Sequence, residues 1–187
     1  MKKIVFVLSF ITCTALTAQS TWKADRAHSK VGFSITHLMI SEVEGQFGEF
    51  EIAATANDSF SDPAFAVDIK SASIDTDNAR RDNDLRSDSY FDAETFPAIS
   101  FKSTSIEKTG DKTFKLTGDL TMHGVTKPVS LDGKLIGIIT DQRSKKLKVG
   151  LKLTGVLNRK DYGVGTSSMA PISDDVTLNI NLEMAQQ

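Results

Sequence analysis

The residues of this chain best suited to chemistry are three histidines, a short polar cluster near the N-terminus and two groups of arginines. His28, His37 and His123 would make a zinc site if a fold brought them together, and Asp25-Arg-Ala-His28-Ser29 sets a carboxylate, an imidazole and a hydroxyl side by side, the groups that acyl transfer uses. Neither arrangement has a recognisable spacing. Neighbours within one loop rarely reach triad geometry, and HExxH, GxSxG and paired-cysteine motifs are all absent from the sequence. No catalytic residue, metal ligand or cofactor is therefore assigned. Arg80, Arg81, Arg86 and the Arg159-Lys160 pair carry cations that match phosphate oxygens, and Arg159 is the candidate for an anionic ligand head. Asp77, Asp82, Asp84 and Asp88 interleave with the first three arginines, so surface ion pairs are the expectation for most of them. The Gly163-Val-Gly165-Thr-Ser-Ser stretch is no nucleotide fingerprint, because no helical pattern follows it.

The elements that must position these groups are strands. Phe114, Leu116, Leu120 and Met122 share one parity, and the same period of two runs through Val31, Phe33, Ile35 and His37, through Phe65, Val67 and Ile69, and through Ile99 and Phe101. It continues through Val129, Leu131 and Leu135, through Leu147 to Leu153, and through Val176 to Met184. A stretch from Val43 to Thr55 completes eight strands. Its apolar residues change parity between Phe47 and Phe50, so a bulge at Gly48 is expected to restore one inner face. The polar stretch at residues 77–92, with Asp77-Asn78 as N-cap, predicts a short helix or two across one end of the sheet. Eight antiparallel strands build either a sandwich or an up-and-down barrel, and periodicity does not choose between them. Inward parity collects Phe33, Ile35, Phe47, Phe50, Phe65, Phe101, Phe114, Leu116 and Leu151 on the surface that an alkyl chain would touch, or that a filled core would consist of. His37 ends that surface and would meet a polar head. His28 and His123 read as residues that tie down turns.

Lys2-Lys3 followed by the apolar run Ile4 to Leu16 has the form of a secretory signal, with residues 1–18 removed and 19–187 forming one domain. The only cysteine, Cys13, lies inside that run, so the mature chain has neither thiol nor disulfide and depends on its core. No later stretch is long enough for a transmembrane helix, which excludes stable membrane insertion of that kind. A net charge of −2 with no basic tract argues against nucleic acid. Eleven phenylalanines against one tryptophan and two tyrosines favour a dry interior over a sugar-stacking surface.

Nine short segments stand in the order found in the YceI-like family. They begin with Trp22-Lys-Ala-Asp25-Arg-Ala-His28-Ser29 and Val31-Gly-Phe33-Ser-Ile-Thr-His37-Leu, and continue with Gly45-Gln-Phe47-Gly, Ser73-Ile-Asp-Thr76 and Arg81-Asp-Asn-Asp-Leu-Arg86. Tyr90-Phe-Asp92, Phe96-Pro-Ala-Ile-Ser-Phe101, Gly118-Asp-Leu-Thr-Met-His123-Gly-Val-Thr126 and Asn158-Arg-Lys-Asp-Tyr-Gly163 follow. The mature chain resembles that family from end to end. The resemblance implies an eight-stranded antiparallel, lipocalin-like β-barrel in the periplasm, with a polyisoprenoid such as a polyprenyl pyrophosphate, or an isoprenoid quinone tail, in its lumen. The partner it implies is an isoprenoid lipid or other long-chain amphiphile, bound by a monomer or a homodimer that is not an enzyme. A ligand-free structural or stress-related interaction module is the alternative, with a metal-dependent hydrolase behind it.

Overall fold

Alternation of inward apolar and outward polar side chains produces strands along most of the computed structural model, which describes residues 19–166 and 171–187. The expected signal segment and Cys13 lie outside the described residues. The strands are β1 (Ser20–Ala24), β2 (Lys30–His37), β3 (Ser41–Phe47), β4 (Phe50–Ala56), β5 (Ala64–Lys70) and β6 (Ile74–Asp75), then, after helix α1 (Ala79–Arg86), β7 (Ala98–Lys108), β8 (Thr113–Met122), β9 (Val125–Thr140), β10 (Leu147–Asn158) and β11 (Ile172–Gln186). All pairings are antiparallel.

Three pairs of these segments are single barrel strands with an interruption. β11 pairs with β1 at Met184 to Gln186 and with β2 from Ile172 to Asn181, so β1 and β2 form one strand broken by the turn at Arg26–His28. β3 and β4 form the next, and β5 and β6 follow them on the same edge. With β7 to β11 the count is eight, and the β1–β11 pairing closes the barrel. Closure removes the sheet edges, and eight strands leave an interior wide enough for one slender ligand.

The change of parity in the second strand takes place across Gly48 and Glu49. Phe47 pairs with Ile74 and Phe50 with Ile69, so the partner strand crosses the same gap with the four residues Lys70 to Ser73. The interruption therefore does what a bulge at Gly48 was expected to do.

β1 carries no strand signal that periodicity could detect, since only Trp22 and Ala24 alternate. Trp22 nevertheless plugs one end of the barrel. It is fully buried, meets Phe60 edge to face at 5.0 Å, and reaches the Ala56 carbonyl with its indole N–H at 3.4 Å. His28, on the turn after β1, accepts its place from Asp25: the Nδ1 to Oδ2 distance is 2.9 Å, and that bond holds the imidazole pKa up and the carboxyl pKa down.

Helix α1 starts as expected, with the Asn78 side chain accepting from the Arg81 N–H, but it stops at Arg86. The chain then folds back so that Phe91 and Ala93 donate to the Leu85 and Arg86 carbonyls, which satisfies the helix end and makes turns of residues 87–92. The expected ion pairs are also corrected. Arg81 donates to the Thr76 hydroxyl and carbonyl, both at 2.7 Å, and Arg86 donates to the Ala72 and Ile74 carbonyls at 2.6 and 2.7 Å. Buried Asp82 accepts from the Thr76 N–H and hydroxyl. These bonds pin the helix across the barrel end opposite Trp22.

Candidate ligand-binding cavity

A cavity of about 670 Å³ occupies the barrel from its middle to the end covered by α1. Its walls come from nearly every strand, because each contributes alternate residues to the interior. Many wall residues are only half-buried despite pointing inward, among them Phe33, Ile35, Phe47, Val67, Leu178 and Ile180. Their remaining exposure faces the cavity. Inward residues near the plugged end, such as Val149 and Met184, are fully buried. This gradient separates a hollow half from a packed half.

Two glycines keep the hollow half open. Phe33 lies opposite Gly45 on the neighbouring strand, and a Cβ at Gly45 would overlap the Phe33 ring. The Phe101 ring overlies Gly118, two positions along β8 from its register partner Leu120, and a Cβ there would overlap it too. Both rings therefore rest against the wall instead of crossing the lumen.

Of the residues expected to touch a ligand, Phe33, Ile35, His37, Phe47, Phe65, Phe101, Leu116 and Arg159 border the cavity. Phe50, Phe114 and Leu151 pack into the hydrophobic core instead and do not border it. Sequence reasoning missed Leu157, Val176 and Leu178, whose parity was visible, and also Thr76, Arg81, Asp84, Leu85, Tyr90 and Phe91, which a polar segment brings back over the opening.

The polar groups on the wall lie at the α1 end. His37 and Ile172, a register pair at the ends of β2 and β11, mark one side of it. Arg81 uses Nε and Nη2 on Thr76, and its Nη1 has no acceptor among the described residues. Arg159 is almost wholly committed: Nε donates to the Ser173 carbonyl, Nη1 to the Val164 and Gly165 carbonyls, and Nη2 to Asp174 at 3.2 Å. Among the described residues, acceptors take four of its five N–H groups. Its other partners hold the bulge in β11 between Ile172 and Val176.

The three histidines do not meet. His28 is bonded to Asp25 on the turn after β1, and His123 joins the β8–β9 turn to the Tyr162 carbonyl at 3.1 Å while resting on Phe96. Among the described residues, the one group close enough for a metal is Asp25, His28 and Glu183, and Lys148 already occupies Glu183 at 2.8 Å. On the segment that His123 contacts, the Tyr162 hydroxyl is buried with no partner among the described residues, and desolvation raises its pKa.

The model of the YceI-like domain matches residues 22–184. The chain belongs to the YceI-like family. Protein YceI of Salmonella newport (strain SL254) is 36% identical over 181 residues, covering 96% of this chain and 93% of that protein. The crystal structure of the YceI protein of Campylobacter jejuni superposes with a TM-score of 0.72 at 35% identity, over 87% of this chain and 96% of that one. A polyisoprenoid binding domain from Saccharophagus degradans shares the YceI-like fold, with a TM-score of 0.63 at 15% identity over 89% of this chain and 98% of that domain. Among the described residues, no helix of this YceI-like chain is long and apolar enough to cross a membrane.

Proposed function

We propose that this protein is a periplasmic carrier that shields a polyisoprenoid, or a similar long-chain amphiphile such as a polyprenyl pyrophosphate or an isoprenoid quinone, without acting on it chemically. One observation carries the reading: the cavity wall is made of inward aliphatic and phenylalanine side chains, and its polar groups lie at one end. Such a space takes an apolar tail from water and leaves its head at the mouth. There His37 and the Nη1 of Arg81, which has no acceptor among the described residues, would receive it, with Arg159 offering a single N–H not taken by a described residue. The polyisoprenoid binding domain of the same fold supports this ligand class, and the Lys2-Lys3 and Ile4 to Leu16 segment supports export.

The cavity also limits the tail. At about 30 Å³ for each water-sized group, it holds roughly twenty carbons, or about four isoprene units. A prenyl alcohol series bound to the purified protein should therefore tighten by at least about tenfold for each added unit, since each buried CH2 contributes about 0.8 kcal/mol before ordering costs. Beyond about four units the affinity should level off. Isothermal titration with alcohols of two to eight units tests this. Affinities that ignore chain length, or no binding of any prenyl chain, would refute the proposal.

A further inference from the structure

The β2–β3 hairpin turns through Leu38, Met39 and Ile40, which are 52%, 86% and 84% exposed. Leu38 and Met39 have φ values of 52° and 60°, and the Ile40 N–H donates to the His37 carbonyl at 3.2 Å. Two left-handed residues in a tight hairpin are the pattern of a type I′ turn, which favours Asn-Gly. Leucine and methionine are strained in that conformation, and water penalises their side chains there as well. Backbone preference and solvation thus both oppose the residues present, a conflict expected where side chains serve something outside the molecule. The Leu38 N–H also donates at 2.8 Å to the carbonyl of exposed Pro171, which brings a fourth apolar residue to the tip. The other exposed large aliphatics among the described residues, Ile136, Ile139 and Val156, are not consecutive in this way.

The tip adjoins the mouth, because His37 and Ile172, the residues beside it, both border the cavity. We propose that this hairpin dips into the surface of an uncharged or zwitterionic lipid bilayer and holds the mouth against it, so that an apolar tail passes between bilayer and barrel without crossing water. The proposal rests on the carrier reading. A second copy of the chain is a poorer occupant: a handful of side chains covers a few hundred Å², whereas a stable protein interface takes about 800 Å² from each partner. An anionic surface is also a poorer match. The outward residues of β3 next to the tip are the exposed Glu42 and Glu44, which leaves apolar insertion as the attraction. Three side chains make such contact reversible, as exchange requires.

The test is flotation of the purified protein with phosphatidylcholine vesicles, at low and high salt, for wild type, the Leu38→Asn/Met39→Gly double variant and Ile40→Asp. Wild type should float equally at both salt concentrations. Each variant should partition about tenfold less, the effect of removing one or two inserted aliphatic side chains. The double variant suits its turn, so its melting temperature should rise while binding of a detergent-delivered prenyl alcohol stays unchanged. Vesicle binding lost in the variants supports the docking role even if no prenyl alcohol binds, in which case the carrier reading alone fails. Equal flotation of variants and wild type, no flotation of wild type, or a dimer that the same variants dissociate would overturn it.

Discussion

Phe33→Asp is expected to leave a folded barrel that no longer retains a prenyl chain. Phe33 is half-buried, borders the cavity and lies 5.9 Å from the Phe47 ring, so its side chain is wall and not packing between strands. The barrel loses little when it is replaced, because the new carboxylate faces a space that water can enter. A bound tail has no such relief. It forfeits the phenyl contact, about 1.5–3 kcal/mol, and must cover a carboxylate that lacks a partner, at a further cost of about 2 kcal/mol or more. The dissociation constant should rise by about three orders of magnitude. Phe33→Leu, which keeps an apolar wall, should stay within about tenfold of wild type. Titration with a four-unit prenyl alcohol, alongside unliganded melting curves, separates lost binding from lost folding. Unchanged affinity in Phe33→Asp would remove Phe33 from the site. Phe101→Asp should also abolish retention, but Phe101 is buried and the variant should lose stability too.

Arg159→Ala should have the largest effect on the protein itself. Arg159 is 5% exposed, and its guanidinium satisfies three main-chain carbonyls from two separate segments besides pairing with Asp174. Alanine leaves the buried Val164 and Gly165 carbonyls without their donor, at about 1–3 kcal/mol for each unsatisfied group. A total near 3 kcal/mol corresponds to a fall of about 6–12 °C in melting temperature for a domain of this size. If the clamp is the main role of Arg159, loss of ligand should follow the loss of stability whether the head is an alcohol or a pyrophosphate. A selective loss of pyrophosphate binding at unchanged melting temperature would assign the arginine to the ligand head instead.

The strands were legible because one face of each is buried and side chains alternate strictly, so Val31, Phe33 and Ile35 or Val176, Leu178 and Ile180 declare an inner surface from spacing alone. Whether that surface encloses a cavity was not legible. Phe114 packs and Phe33 borders a cavity, yet both sit at inward positions opposite a glycine on the adjacent strand. What differs is their distance from the plug formed by Trp22 and Phe60, and that depends on register around the whole barrel. The cover over the opening was hidden for another reason. Thr76, Arg81, Asp82 and Arg86 look like a solvated polar stretch until hydrogen bonds to one another and to main-chain carbonyls at 72–76 are formed. Polar networks of that kind carry no periodicity. His37 could be placed at the mouth because it continues an alternating run, whereas the role of Arg159 as a clamp depends on carbonyls from a loop and a distant strand.

The central claim is that the hollow half of the barrel holds an apolar chain, and native mass spectrometry of the full-length chain expressed in a bacterium that exports it tests this most directly. The account predicts a protein mass increased by a discrete small molecule, which denaturing extraction releases and identifies as a prenyl or comparably long alkyl amphiphile. Protein that is empty in every preparation, and that takes up no prenyl chain when one is supplied, would contradict it.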